Sequence, residues 1–378
     1  MDIQHQHGTD IYVLRACLND DALGLVAIGG EHSVEVILIS DTSARPLASF
    51  HIGSRITAIA WSPRAVSPAS AADWTIELAA AGEDYGLYLL TKSSKESETI
   101  FPFGGGLSGH HGKVNDITFC GGRSEDSARY VATVSDDKML MVWDLYPTID
   151  IPTNISSPIR SLEERLPLSP AARPQPTAYV IPFSHPLTTI CSHPSTSKEF
   201  LVADARGSIF LTDWRSDPED NAQDGWRKFS VIELNEPHAL ANSSIGHHYN
   251  WSGSIAWRRD TPDIIGGVYG SRFSLWDTSN LHGGKPFANG TSFLEGGHHF
   301  RWCPTYPEYF AISTQNPAKG AVINVHNVNY IHAQATAFAV GNRPHFVRDF
   351  DFLGLRGIPR IAAAVGQKVW VFSIGVES

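Results

Sequence analysis

The stretch GHHGKVNDITFCGGRSEDSARYVATVSDDKMLMVWDL, residues 109–145, decides the fold. It opens with Gly109-His110 and closes with Trp143-Asp144. Between these ends lie three short apolar runs, separated by turn-forming residues, as expected for short β-strands. A sheet of this size cannot bury both of its faces alone, so the sequence predicts several stacked copies of the unit.

Degenerate copies of this unit recur along the whole chain. The first spans residues 11–51, the second 56–101, and the opening unit is the third. The remaining four begin at Leu187, Ser254, His299 and Val347. Seven units of three or four strands predict an all-β fold, a seven-bladed β-propeller, in which residues 1–378 form a single domain.

Insertions account for the length of the chain. Dividing 378 residues by seven gives about 54 per unit, above the roughly 40–45 expected. The segment 147–176 holds seven prolines and few apolar residues, which predicts a mobile insertion between the third and fourth strands of the third blade. An acidic segment, 216–224, lies at the same place in the fourth blade.

Closure of the ring requires a strand from elsewhere in the chain. Only residues 373–378 follow the last predicted strand, too few for another. We predict that residues 2–7 supply the outer strand of the last blade. The alternative is an unpaired edge, which would invite strand addition by another chain.

Composition narrows the classes of function. The formal net charge is −10 and no basic run occurs, which disfavours direct nucleic-acid binding. No apolar stretch approaches 18 residues, so we predict a soluble, intracellular protein without membrane insertion. The four cysteines lie far apart with no C-x-x-C spacing, which favours buried free thiols over disulfides or zinc ligation. They are Cys17, Cys120, Cys191 and Cys303.

Several motifs could indicate catalysis, but their context argues against it. The G-x-G-x-x-G pattern at 104–109 precedes a predicted strand, where no helix N-terminus would bind phosphate. The histidine pairs at 110–111, 247–248 and 298–299 fall near the starts of different blades. We find no nucleophile elbow, no closely spaced acid pair in a setting that would shift a pKa, and no polar cluster for the central channel. The sequence therefore predicts no enzyme activity, no cofactor and no bound metal.

The opening unit resembles the WD-repeat family, whose blades carry a Gly-His pair and end in Trp-Asp. The resemblance implies that four polar side chains are joined by hydrogen bonds inside the blade. In this sequence they are His110, Thr133, Asp137 and Trp143. Because a buried imidazole, hydroxyl and indole N–H each need a partner, we interpret this tetrad as structural rather than catalytic or metal-binding.

Further motifs narrow the resemblance. They are ITAIAWSP at 56–63, VSDD at 134–137, CSHP at 191–194, FRW at 300–302 and IAAAVGQKVWVF at 361–372. Their order and spacing are similar to those of the small WD-repeat nucleoporins of the nuclear pore's Y-shaped complex. The likeness extends over most of the chain, although the proline-rich insertion is not part of the family pattern.

This resemblance implies a non-catalytic structural role in the outer ring of the nuclear pore complex, at the nuclear envelope. The implied partners are a large scaffold nucleoporin, which joins a propeller to a helical solenoid, and the other subunits of the Y-shaped complex. The subunit would thereby support nucleocytoplasmic transport. A rigid propeller surface suits such docking, because little entropy is lost on binding.

Candidate contact residues follow from exposure and side-chain type. Trp74, Tyr146 and Trp226 lie outside the predicted strands, and Arg258 and Arg259 follow the first strand of the fifth blade. Aromatic residues and arginines are the commonest anchors of protein interfaces. The alternative for each aromatic is that it merely covers a blade edge, and for each arginine that it is solvated.

A second class of function stays open at this point, a generic WD-repeat adaptor of a chromatin or ubiquitin-ligase complex. Substrate receptors of one cullin ligase usually carry Trp-Asp-x-Arg. In this chain Tyr146 and Ser279 occupy the position of that arginine. The ordered motifs therefore favour the nucleoporin interpretation.

Overall fold

The computed structural model describes residues 3–147, 176–215, 231–244, 253–281 and 283–375. They form seven four-stranded antiparallel sheets, so the prediction of an all-β, seven-bladed β-propeller is confirmed. Each predicted blade start corresponds to an inner strand, and the chain then runs outward through the sheet.

The first half of the chain supplies the closing strand and blades 1 to 3. The closing strand is β1 (Ile3–Gln6). Blade 1 contains β2 (Val13–Ala16), β3 (Leu25–Gly29), β4 (Ser33–Ile39) and β5 (Ala44–His51). Blade 2 contains β6 (Ile56–Trp61), β7 (Thr75–Gly82), β8 (Leu87–Ser93) and β9 (Thr99–Gly104). Blade 3 contains β10 (Val114–Phe119), α1 (Glu125–Arg129), β11 (Tyr130–Ser135), β12 (Met139–Asp144) and β13 (Thr177–Pro182).

The second half supplies blades 4 to 7. Blade 4 contains β14 (Leu187–Ser192), β15 (Glu199–Asp204), β16 (Ser208–Asp213) and β17 (Val231–Asn235), and α2 (Pro237–Ser244) follows it. Blade 5 contains β18 (Ser254–Trp257), β19 (Ile264–Tyr269), β20 (Arg272–Asp277) and β21 (Ala288–Thr291). Blade 6 contains β22 (Phe300–Trp302), β23 (Tyr309–Ser313), β24 (Ala321–Asn327) and β25 (Thr336–Gly341). Blade 7 contains β26 (Asp349–Phe352), β27 (Arg360–Val365) and β28 (Lys368–Ser373).

The N-terminal strand completes blade 7, which confirms the predicted closure and excludes the unpaired edge on β28. Ile3 lies opposite Val371 and Gln6 opposite Lys368 in an antiparallel pair. The Ile3 side chain is buried. Because β1 and β2 are joined in the chain but belong to blades 7 and 1, the ring is closed by hydrogen bonds between its two ends.

The hydrophobic core lies between the blades. Seven clusters of buried side chains each join the facing sides of two adjacent blades. Second strands are covered on both faces, so they are apolar almost throughout, as the fully buried β3 and β11 illustrate. Outer strands are less buried, and most side chains of β13 are exposed.

Two short helices were not predicted. The helix α1 begins after Ser124, whose backbone N–H donates a hydrogen bond to the Ser127 hydroxyl oxygen at 3.1 Å. Helices of five and eight residues are too short to give a clear 3.6-residue periodicity. Local capping residues, rather than an apolar stripe, specify α1.

The predicted insertions fall largely outside the described residues. The residues not described include 148–175 of the proline-rich segment 147–176 and the whole acidic segment 216–224. The first segment is flanked by β12 and β13, and the second by β16 and β17, the third and fourth strands of their blades.

Candidate docking face and central channel

The four residues of the predicted tetrad are in contact inside blade 3. His110 Nδ1 lies 2.9 Å from an Asp137 carboxylate oxygen and Nε2 lies 2.7 Å from Thr133 Oγ1. Since a carboxylate only accepts, Nδ1–H donates to Asp137 and Nε2 accepts from the Thr133 hydroxyl. The Trp143 indole N–H donates to Thr133 Oγ1 at 3.0 Å. The hydrogen bonds thus run from the turn aspartate to the buried indole.

Protonation states in the tetrad follow from its burial. Burial lowers the pKa of His110, so its imidazole is neutral near pH 7. Burial alone would raise the pKa of Asp137, but hydrogen bonds from the His111 backbone N–H and from His110 outweigh burial and lower it. The polar side-chain atoms of all four tetrad residues therefore form hydrogen bonds inside blade 3. A structural role for the tetrad remains our prediction.

Two of the predicted contact aromatics make internal contacts. Trp74 is half-buried and packs against the cluster between blades 1 and 2. The Tyr146 hydroxyl accepts a hydrogen bond from Arg64 Nη1 at 2.9 Å, and its ring centroid lies 5.0 Å from the Arg64 guanidinium carbon. Trp226 lies outside the described residues.

The two predicted contact arginines differ in their environment. Arg258 is ion-paired with Asp260, with 2.8 Å between Nε and Oδ1, and its guanidinium lies 6.0 Å from the Trp302 ring centroid. Arg259 is exposed and forms no ion pair with the described residues. Arg259 and Tyr146 line one cleft of about 710 Å³, whereas Trp74 and Arg258 do not line it. Of the four predicted contact residues that the structure describes, it therefore brings two together in this cleft.

A cluster of charged side chains lies on the central channel, contrary to the sequence expectation. Asp349 and Asp351 of β26 and Asp116 of β10 face Arg15 of β2 and Arg301 of β22. Arg15 is ion-paired with Asp349 and lies 3.6 Å from an Asp116 oxygen. The expectation was wrong because these residues come from inner strands of different blades, which are distant in sequence and adjacent only in the ring.

The expectation that no close acid pair has a shifted pKa was also wrong. Burial raises the pKa of Asp351, which stands two residues from Asp349, and burial likewise raises the pKa of Asp116. Burial opposes the charge of Arg15, but Asp349 and Asp116 outweigh this and raise its pKa. A charged residue inside an otherwise apolar inner strand, as in VLRA at 13–16, was the signal available in the sequence.

Hydrogen bonds show what the carboxylates do. Asp349 accepts from the backbone N–H of Leu14 at 2.9 Å, and Asp351 from that of Ala16 at 3.2 Å, across the junction between blades 7 and 1. Asp116 accepts from the Ile190 N–H of blade 4 at 3.1 Å. The second oxygen of each carboxylate accepts from the next residue of its own strand. Because both oxygens of all three carboxylates accept backbone hydrogen bonds, this cluster, which we call the charged ring, joins neighbouring blades.

The channel cavity of about 340 Å³ also lacks an activated nucleophile among its described lining residues. Cys191 lines it, but burial raises the pKa of this thiol to about 12, so it stays protonated. Its Sγ–H donates to the Ile255 carbonyl at 3.1 Å. All four cysteines are free thiols; three of them are buried as predicted, whereas Cys191 is only partly buried.

The histidine pair at 298–299 lies beside the charged ring. His299 Nε2 is 3.2 Å from the Arg348 carbonyl oxygen and 3.5 Å from Asp349 Oδ1. Burial lowers the pKa of His298 to about 4 and that of His299 well below its usual range, so both are neutral at pH 7. Within the described ranges, no group of three or more histidine, cysteine, aspartate or glutamate residues could hold a metal ion. No helix in the same ranges is long and apolar enough to cross a membrane.

Comparisons with known proteins agree with this geometry. No family model matches the chain. Over 319 residues, which cover 82% of this chain and 79% of the relative, it is 20% identical to nucleoporin Nup37 of Mus musculus. Among solved structures it is similar to Raptor of Chaetomium thermophilum, with a TM-score of 0.65, 12% identity, and coverage of 100% of this chain but only 29% of Raptor. The likeness to Raptor concerns the propeller fold alone, and the similarity to Nup37 is distant but extends over most of both chains.

Proposed function

We propose that this protein is a non-catalytic structural subunit of the nuclear pore's outer-ring scaffold, the Y-shaped complex. The observation that carries the proposal is the similarity to Nup37, which spans 82% of this chain and 79% of that nucleoporin. In this role it belongs to the small WD-repeat nucleoporins, resides at the nuclear envelope and supports nucleocytoplasmic transport. Its partner is a large nucleoporin that joins a propeller to a helical solenoid.

The chemistry of the channel supports a binding role over a catalytic one. The carboxylates there accept backbone hydrogen bonds between blades, and the Cys191 thiol stays protonated. What remains accessible is a rigid surface, crossed by loops that follow the inner strands. A preorganised surface loses little entropy on docking, and its loops set specificity.

The contact residues and the domain organisation belong to the same proposal. Among the five contact residues predicted from the sequence, Tyr146 and Arg259 are the favoured anchors because they line one cleft. Trp74, Arg258 and Trp226 stay as further candidate contacts. Residues 1–378 act as one propeller domain, and segment 147–176 is a proline-rich mobile insertion of blade 3.

The test is affinity purification of the tagged protein from its own cells, with mass spectrometry of the proteins recovered. We expect stoichiometric recovery of a large propeller-solenoid nucleoporin and its ring companions. Recovery of histone modifiers or cullin adaptors without pore proteins would favour the adaptor function and overturn the proposal. A tagged propeller of unrelated function, expressed at the same level, controls for non-specific binding.

A further inference from the structure

A groove with an apolar floor opens between blades 6 and 7, away from the central channel. Its volume is about 1160 Å³, which exceeds the roughly 300–1,000 Å³ typical of small-molecule pockets. Phe338 and Val340 of β25 form one wall, and Trp370 and Phe372 of β28 form the other. The rings of Phe338 and Phe372 lie 5.4 Å apart at its floor.

One wall of the groove runs beside the closing strand. Lys368 and Trp370 pair with Gln6 and Gln4 of β1, and Gln6 also lines the groove. The opposite wall ends in Gly341, which contributes no side chain.

The rim of the groove is cationic. Arg343 and Lys368 are exposed lining residues, and neither forms an ion pair with the described acidic residues. Lys368 Nζ lies 5.9 Å from the Trp370 ring centroid, which places its charge over the aromatic wall. Asp10 supplies one opposing carboxylate. In a chain with a formal net charge of −10, this local excess of positive charge favours an acidic ligand.

We propose that this groove receives an acidic amphipathic helix of the scaffold partner. The apolar face of the helix packs on the partly buried Phe338, Val340 and Trp370, and its carboxylates pair with Arg343 and Lys368. A helix is favoured because the partner proposed above carries a helical solenoid; addition of a strand to the outer edge of β25 is the outcome that the test must exclude. The identity of the partner rests on the proposed function, whereas the chemistry of the helix rests on the groove.

Photo-crosslinking identifies the occupant directly. Benzoylphenylalanine replaces the exposed rim residue Gln367 and, as the control, Tyr179 on the outer strand of blade 3, which is 57% exposed. From cells, we expect position 367 to crosslink to a peptide with apolar residues at helical spacing and acidic residues beside them. Crosslinking no stronger than at position 179, or to a peptide with alternating strand-like periodicity or no acidic residues, overturns the proposal.

Charge reversal tests the electrostatic part. The double variant Arg343→Glu, Lys368→Glu is compared with Arg45→Glu, Arg356→Glu, which makes the same charge change at exposed positions outside the groove. We expect the groove variant to recover about tenfold less partner with an unchanged melting temperature, and the control to recover the wild-type amount. Wild-type recovery by the groove variant contradicts the inference and leaves the proposed function intact. If wild-type protein recovers no pore proteins yet crosslinks at position 367 to an acidic helix, only the proposed function fails.

Discussion

Buried polar groups occur in two regions of this propeller, and they do different work. Inside blade 3, the tetrad from His110 to Trp143 joins strands of one sheet. Around the channel, carboxylates such as Asp349 join sheets to one another, and its bond to the Leu14 N–H connects residues 335 positions apart. A repeat motif therefore predicts the hydrogen bonds inside one repeat. The contacts between repeats have no sequence motif of their own.

Blade 5 shows how far the motif reaches. It ends in Trp276-Asp277, as blade 3 ends in Trp143-Asp144, and both indoles are buried. The Trp276 N–H, however, donates to the Gly284 carbonyl at 3.1 Å, not to a hydroxyl. The Trp-Asp ending therefore predicts where the indole packs, but the acceptor of its N–H varies between blades.

The largest loss of stability is expected from a substitution in the tetrad of blade 3. Trp143→Ala removes a side chain that is 2% exposed and packs edge-on against Phe103. We expect a loss of about 4 kcal/mol in the free energy of unfolding, measured by chemical denaturation. Trp143→Phe keeps most of the packing and removes the indole donor, so it should cost about 1 kcal/mol. Equal losses for both variants would contradict the hydrogen-bonded tetrad.

The next largest loss of stability is expected from a substitution in the charged ring between blades. Asp349→Ala removes the nearer of the two ion-pair partners of Arg15, leaving Asp116, and it leaves the Leu14 N–H without its acceptor. We expect a loss of about 3 kcal/mol in the free energy of unfolding, because one half of a buried pair is left behind. A double-mutant cycle with Arg15→Ala should show coupling of about 1–2 kcal/mol. Additive losses would mean that Arg15 and Asp349 do not act as a pair.

A smaller loss of stability is expected from a substitution in the closing strand β1. Ile3→Ala truncates a side chain that is 7% exposed and packs in the cluster between blades 7 and 1. We expect a loss of about 2 kcal/mol in the free energy of unfolding. Gln4→Ala changes the exposed neighbour and should cost less than about 0.5 kcal/mol. An unchanged melting temperature for Ile3→Ala would show that the ring does not depend on β1.

The smallest effect concerns pH. Burial lowers the pKa of His326, in blade 6, to about 4, from about 6.5 in the unfolded chain. Between these values the unfolded state binds a proton that the folded state does not, so this residue removes stability as pH falls from 6.5 towards 4. Near pH 6 the contribution is about 1 kcal/mol.

The variant His326→Phe isolates this contribution. It should flatten the decrease in melting temperature between pH 6.5 and 4.5, whereas His32→Phe, at an exposed position, should not. The carboxyls of Asp116 and Asp351, whose pKa burial raises, act in the opposite sense and are present in both variants. The same pH slope in wild type and His326→Phe would contradict a neutral, buried imidazole.

Strand positions were predictable because each blade repeats the same alternation of apolar runs and turns. The closing strand was also predictable, since too few residues remain after β28 to complete the last sheet. The charged ring was not, because Arg15, Asp116 and Asp349 each look like an isolated charge in an apolar strand. Only the curvature of the ring brings these three together.

The contact residues were the hardest to predict because side-chain type alone does not reveal internal partners. Arg258 follows a strand, as an interface arginine would, yet it is ion-paired with Asp260. Trp370, which faces the open groove, lies inside a strand that reads as ordinary core. Whether such a residue is covered depends on how neighbouring blades pack, which only the folded structure shows.

The central claim is that the protein is a stable part of the pore scaffold. The most direct measurement is the position and exchange rate of the fluorescently tagged protein in its own cells, by imaging and photobleaching of the nuclear envelope. We predict a punctate nuclear rim with recovery as slow as that of a tagged ring nucleoporin measured in parallel. A diffuse signal, or recovery as fast as that of a freely diffusing propeller, would contradict the claim.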